Sequence, residues 1–116
     1  MILSCVGLAE ISADAHKRSL TPSLIVQSVA GYYGLTIEVL QSKRRDKPLT
    51  IARHLAMYLL REELQCSWTQ IGHELGGRDH STVLHGYQKI TNDINTDPAM
   101  LRDLLDIRER LYAKAL

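Results

Sequence analysis

The sequence predicts an all-α fold, and three observations carry that expectation. Hydrophobic residues reach 45% while aromatics are only 5% with no Phe, so the core must be built from Leu, Ile, Val, Ala and Met, which suits packed helices better than sheets. From residue 21 onward apolar residues recur at three- and four-residue intervals, the period of an amphipathic helix. Between these stretches lie helix-boundary signals (Thr-Pro, Ser-x-x-Gln, Gly-Gly, Asp-Pro), with no convincing strand, internal repeat or low-complexity tract. At 116 residues the chain has room for one domain with a single core.

Residues 1–20 have weak periodicity and no clear start signal, and are read as a leader or short helix outside the domain proper, 21–116. The opening run to Cys5 faintly resembles a lipoprotein signal, but it lacks a basic start and enough apolar residues, so it is read as an ordinary segment. Thr21-Pro22 then supplies a cap and a first-turn proline, and Leu24, Ile25, Val26, Val29 and Ala30 form one helical face ending at Gly34. Thr36 caps a short second helix with Ile37, Val39 and Leu40. Residues 42–48 read as a basic loop, with Pro48 barring a helix from extending backwards.

A long helix follows from about Thr50 to Cys66, burying Ile51, Leu55, Met57, Tyr58, Leu59 and Leu64, with Arg53, His54 and Arg61 on its outer side. Ser67 and Gln70 have the spacing of a capping box and open a helix of about two turns that ends before Gly76-Gly77. Asp79 caps a fifth helix through Val83, Leu84, Tyr87, Ile90 and Ile94. Asp97-Pro98 starts a closing helix marked by Leu101, Leu104, Leu105, Ile107, Leu111 and Tyr112. The total is about six helices.

Several chemistries are excluded at this level. His73-Glu74 begins a zinc-protease motif, but the second His would fall at Gly77. His80 and His85 are five residues apart and turn to different sides of a helix, so they make no metal pair. Asp79, His80 and Ser81 are the residue types of a hydrolase triad, yet as neighbours on one helix they cannot line up. Neither glycine-rich nucleotide-binding pattern occurs, so no nucleotide, metal or other cofactor is expected, and no enzyme. Cys5 and Cys66 form no disulfide framework, which fits a reducing cytoplasm. No apolar run reaches the roughly 18 residues needed to span a bilayer, so no membrane partner is expected. Trp68 and the five tyrosines fall within helical patterns and read as packing residues.

The net charge of +1 conceals a block: Lys43, Arg44, Arg45, Lys47, Arg53 and Arg61 stand against the single acidic Asp46. Just beyond it, the succession of short helix, glycine turn and second helix has the form of a DNA-binding helix-turn-helix, whose second helix presents its first turn to base edges in the major groove. That turn reads Asp79-His80-Ser81-Thr82, short polar side chains suited to direct readout, and Arg78 before it suits a phosphate. Glycine turns also join helices in plain bundles, so a helical protein-interaction module remains the alternative, as does a transcription regulator with a different DNA target.

The run Gly76-Gly77-Arg78-Asp79-His80-Ser81-Thr82-Val83-Leu84-His85 resembles the signature of the C-terminal DNA-binding domain (domain IV) of the DnaA family of bacterial chromosomal replication initiators. Tyr32-Tyr33-Gly34-Leu35, Ser42-Lys43-Arg44-Arg45 and the stretch from Ala52 to Leu59 resemble the same domain in the same order and spacing, covering about residues 21–112. The resemblance implies a helix-turn-helix of the Trp repressor-like type that binds double-stranded DNA at short origin boxes such as TTATCCACA. It implies base readout by Arg45 in the minor groove, by Arg53 and His54, and by Asp79, His80, Ser81 and Thr82 in the major groove. Lys43, Arg44, Lys47, Arg61, Arg78 and His85 would hold phosphates. The full-length initiator or its regulators are the implied protein partners, and the cytoplasmic nucleoid the implied location.

Three departures bear on specificity. Ser81 stands where the family usually has Thr and lacks its methyl, His54 replaces a common Gln, and Asp46 with Pro48 makes the loop less cationic. A full initiator also carries an ATPase module. The chain is therefore either a piece of such a protein or a stand-alone box reader, the second being slightly favoured by Met1 and the unusual leader.

Overall fold

Six α-helices and no strand account for the regular structure among residues 20–115, which the computed structural model describes. The leader expected over 1–20 lies outside these residues except for Leu20, which is buried in the core. The helices are α1 Pro22–Tyr32, α2 Ile37–Leu40, α3 Lys47–Leu64, α4 Trp68–Glu74, α5 His80–Thr96 and α6 Pro98–Ala115.

Caps set most of the boundaries. The Thr21, Thr36 and Ser67 hydroxyls each accept a backbone N–H three residues on, at 3.1 Å, satisfying donors that the first turns of α1, α2 and α4 leave free. Asp97 Oδ1 accepts from Ala99 N at 3.0 Å at the start of α6. The start of α3 corrects the sequence reading. Asp46 is its N-cap and Pro48 sits in its first turn, so the helix opens at Lys47 rather than near Thr50. Proline is excluded from helix interiors because it lacks an N–H, but in the first turn that N–H has no partner to lose. α3 stops where Gln65 turns left-handed, at φ 54.

α3 is the central element. α1 packs along one side of it and α5 crosses the other, with α6 closing over α1 and α5. Ile25 and Val29 from α1, Leu55, Leu59 and Leu60 from α3, Ile71 from α4 and Leu75 at its end, and Val83 from α5 are all fully buried in one core, which Leu104, Ile107 and Leu111 extend along α6. Polar contacts fasten α6 at both ends. The Tyr32 and Tyr33 hydroxyls donate to Asp103 at 3.1 and 2.9 Å, and Tyr32 also to Asp106 at 3.2 Å. Nearer its C-terminus, Tyr112 donates to Glu63 and Arg108 pairs with the same carboxylate at 3.2 Å.

Leu59→Ala is expected to lower the unfolding free energy by about 2–5 kcal/mol, the range for a buried leucine whose cavity cannot collapse, read from the urea transition. A second expectation concerns alkali. Burial, together with the hydrogen bond to Glu63, pushes the Tyr112 phenol up to about 12. The folded state thus holds this proton more tightly than the unfolded state, so the contribution is complete below the ordinary tyrosine value of about 10 and is lost as pH rises toward 12. Thermal midpoints measured across that window should fall less steeply in Tyr112→Phe than in the parent chain.

Candidate nucleic-acid interface

The turn between α4 and α5 is folded tightly back on α4. The Gly72 carbonyl accepts from both Gly77 N and Arg78 N at 2.9 Å, and a Cβ on Gly72 would lie 2.0 Å from the Arg78 carbonyl oxygen. Gly76 adopts φ 91, and a Cβ there would also lie 2.2 Å from the Gln41 carbonyl oxygen. Only glycine satisfies both conditions. The turn therefore rests against the segment that leads out of α2.

Beyond it, Asp79, His80, Ser81 and Thr82 are all exposed at the start of α5. Asp79 occupies the N-cap position, but its carboxylate makes no capping bond and lies 3.5 Å from His80 Nδ1. The first backbone N–H groups of α5 are thus left without a side-chain cap in an exposed polar turn, a setting that favours anions. Lys43, Arg44, Arg45 and Lys47 are exposed on the facing loop and helix start, with Arg44 paired to Asp46. Loop and turn enclose a cleft of about 380 Å³ lined by Lys43, Arg45, Thr50, His54, Arg78 and Thr82.

His54 is half-buried on α3, and burial, aided by Lys89 and Arg53, holds its imidazole below the usual histidine value. It is therefore neutral at pH 7, with one nitrogen to donate and one to accept. The neighbouring glycine on α5 makes room for it, since a Cβ on Gly86 would meet Met57 Sδ at 2.6 Å and His54 Cδ2 at 2.8 Å.

Two arginines differ from their sequence placement. Arg53, read as outward-facing and implied to touch bases, is 4% exposed. Its guanidinium donates to the Leu40 carbonyl at 2.7 Å, to Ser42 at 2.8 Å, to Val39 at 3.3 Å and to Arg44. The signal was present in the spacing, because Arg53 shares a helical stripe with the buried Leu49, Ala56 and Leu60. Arg61, implied to hold a phosphate, sits toward the other end of α3. It lies over the Trp68 ring at 4.3 Å and donates to the Cys66 carbonyl at 3.0 Å, away from the cleft. Arg78 is half-buried, and its guanidinium donates to the Leu75 carbonyl and, at 2.7 Å, to that of Ser42. His85 is exposed one turn along α5 but does not line the cleft. Thr50, which does, was not among the expected site residues, because a neutral hydroxyl at a helix start carries neither a charge nor a motif signal. Trp68 packs edge-on against Tyr87 at 5.1 Å, as its reading as a packing residue expects.

Two helices joined at a glycine turn, with an exposed polar first turn on the second and a basic loop beside it, define a helix-turn-helix domain. The family model described as "Bacterial dnaA protein helix-turn-helix" matches residues 22–90, from the start of α1 well into α5, and the chain belongs to that family. It is 40% identical over 114 residues to the chromosomal replication initiator protein DnaA of Roseiflexus castenholzii, covering 98% of this chain and 24% of that protein. The corresponding protein of Chloroflexus aggregans is 40% identical over 105 residues, covering 90% of this chain and 22% of its own length. That of Thermomicrobium roseum is 39% identical over 115 residues, 99% of this chain and 25% of its own length. The chain thus spans about a quarter of the length of the curated relatives it matches.

Gly76→Ala is expected to destabilise the domain by at least about 1–3 kcal/mol from backbone strain and to shift the amide resonances of Gln41 and Ser42. Gly31→Ala is the control. Its added Cβ meets nothing within 4 Å on a helical backbone, so stability should hold or rise by about 0.5–1 kcal/mol.

Proposed function

We propose that this domain reads double-stranded DNA with sequence specificity at the boxes of a bacterial replication origin, and so acts in or regulates the initiation of replication. The observation that carries the reading is the shared cleft, with the basic loop on one side and the glycine turn with Thr82 of α5 on the other, beside the exposed Asp79, His80 and Ser81. α5 enters the major groove and brings Asp79, His80, Ser81 and Thr82 to base edges, where short polar side chains discriminate base pairs. Arg45 enters the adjacent minor groove, whose potential is most negative over A·T-rich sequence. Lys43, Arg44, Lys47 and His85 hold the backbone and fix the register. His54, deeper in the cleft, brings its imidazole nitrogens to the same surface.

The test is a fluorescence-anisotropy titration of a labelled duplex carrying TTATCCACA against a scrambled duplex of equal composition. Tighter binding to the box, weakening with salt by a log–log slope of about −0.9 per phosphate contacted, is the expected result. Equal affinity for both duplexes overturns the box assignment. Absence of binding to either overturns DNA as the partner and leaves a protein-docking module. Within the same assay, Arg45→Ala should weaken binding and blunt the preference for A·T pairs. His80→Ala should relax selectivity at its base pair by about 1–3 kcal/mol.

A further inference from the structure

The segment from Val39 to Arg44 carries the loop that the proposed function sends into the minor groove, and it is gripped from three directions. Arg53 reaches it from the middle of α3 through the carbonyls of Val39, Leu40, Ser42 and Arg44. Arg78 reaches it from the helix-turn-helix turn, and its bond to the Ser42 carbonyl at 2.7 Å lands on the same oxygen that Arg53 holds at 2.8 Å. From the loop side, Gln41 Nε2 donates to the Glu74 carbonyl at 2.9 Å at the end of α4, where the Gly76 backbone closes against Gln41. A guanidinium presents a planar fork of five donors, and here two such forks are spent on main-chain oxygens with no carboxylate among their hydrogen-bond partners.

We infer that Arg53 and Arg78 are positioning residues, which fix the loop bearing Lys43 and Arg45 at a set distance from the first turn of α5 so that both grooves are entered in one register. The inference rests on the DNA-binding reading above. It departs from a direct role for either arginine, because hydrogen bonds from Arg53 and Arg78 already go to backbone oxygens. Their targets are carbonyls, so no side-chain substitution on the loop can replace the contact. Lysine is the informative replacement: it keeps the charge but has one nitrogen, which cannot span the four carbonyls around Arg53.

Two measurements decide the matter. In the first, amide hydrogen exchange of residues 41–46 is followed without DNA in the parent chain, Arg53→Lys and Arg78→Lys. Exchange accelerated there, with α1 and α6 protected as before, is expected. Unchanged exchange in both variants overturns the clamp, whatever the chain binds. The second is a double-mutant cycle with Arg45→Ala on the box duplex. Arg53→Lys alone should weaken box binding about tenfold while changing the salt slope by less than one phosphate contact, because the charge is kept and Arg53 itself holds no phosphate. In the Arg45→Ala background the same change should cost clearly less than tenfold, because the minor-groove contact is gone and only the loop's phosphate contacts remain to be positioned. Additive losses would overturn the inference in favour of direct contact by Arg53. If Arg53→Lys loses its helical circular dichroism, the cycle with Arg78→Lys carries the same two outcomes. A parent chain that binds neither duplex defeats the DNA reading alone, and the exchange experiment still decides whether these arginines hold the loop.

Discussion

The main-chain oxygen of Ser42 accepts hydrogen bonds from two guanidiniums, one on α3 and one on the turn before α5, and the cationic half of the molecule is organised around that convergence. Loops cost conformational entropy to hold still, and this one has no helical or sheet partner of its own between Gln41 and Asp46. What orders it is arginine reaching in from outside. Lys43 and Arg45 stay exposed because the carbonyls beside them, rather than their side chains, carry the anchoring bonds. A loop pinned through its backbone leaves its side chains available for a ligand.

Burying a cation demands compensation, and the kind used here is informative. A buried guanidinium without partners would face a desolvation penalty of several kcal/mol. Arg53 meets that demand with carbonyl dipoles, among them those of Val39 and Leu40 at the C-terminal end of α2, where the partial negative charge of the helix end lies. A carboxylate in the same place would have cancelled the charge. Carbonyls stabilise it while leaving the positive potential in the cleft wall, and Arg78 adds to it. The net charge of +1 for the whole chain therefore says little about the field at this surface.

Most of the fold was legible in the sequence, because its boundaries are set by local chemistry. Thr21, Thr36, Ser67 and Asp97 cap helices through their own side chains, and Gly76 occupies a backbone conformation that side-chain-bearing residues avoid. The start of α3 was misplaced because Pro48 is read differently in a first turn than in an interior. Gln65 ends the same helix left-handed without a glycine to announce it. At the site, the exposed turn from Asp79 to Thr82 and the exposed loop cations could be located from motif and charge. Arg53 could not be oriented by residue type, since arginine signals an outward face. Only its stripe with Leu49, Ala56 and Leu60 pointed inward. The Ser42 contact had no sequence signal at all, because any residue supplies the same carbonyl.

α3 is the common reference for every part of this surface. Arg53, two turns into it, grips the loop, and His54 beside it lines the cleft. Two turns further on, Arg61 lies over Trp68 and holds the Cys66 carbonyl, which fixes the entry into α4 and so the whole helix-turn-helix from behind. Between them, Gly86 lets α5 approach closely enough for its backbone to stand against Met57 and His54. Loop and second helix are thus each referred to one eighteen-residue helix, and the turn is tied back to the loop through Arg78 and Gln41, which closes the set into a ring. Errors in placement then do not accumulate from loop to turn to helix. A surface that must match two grooves at once needs that property more than it needs any single strong contact.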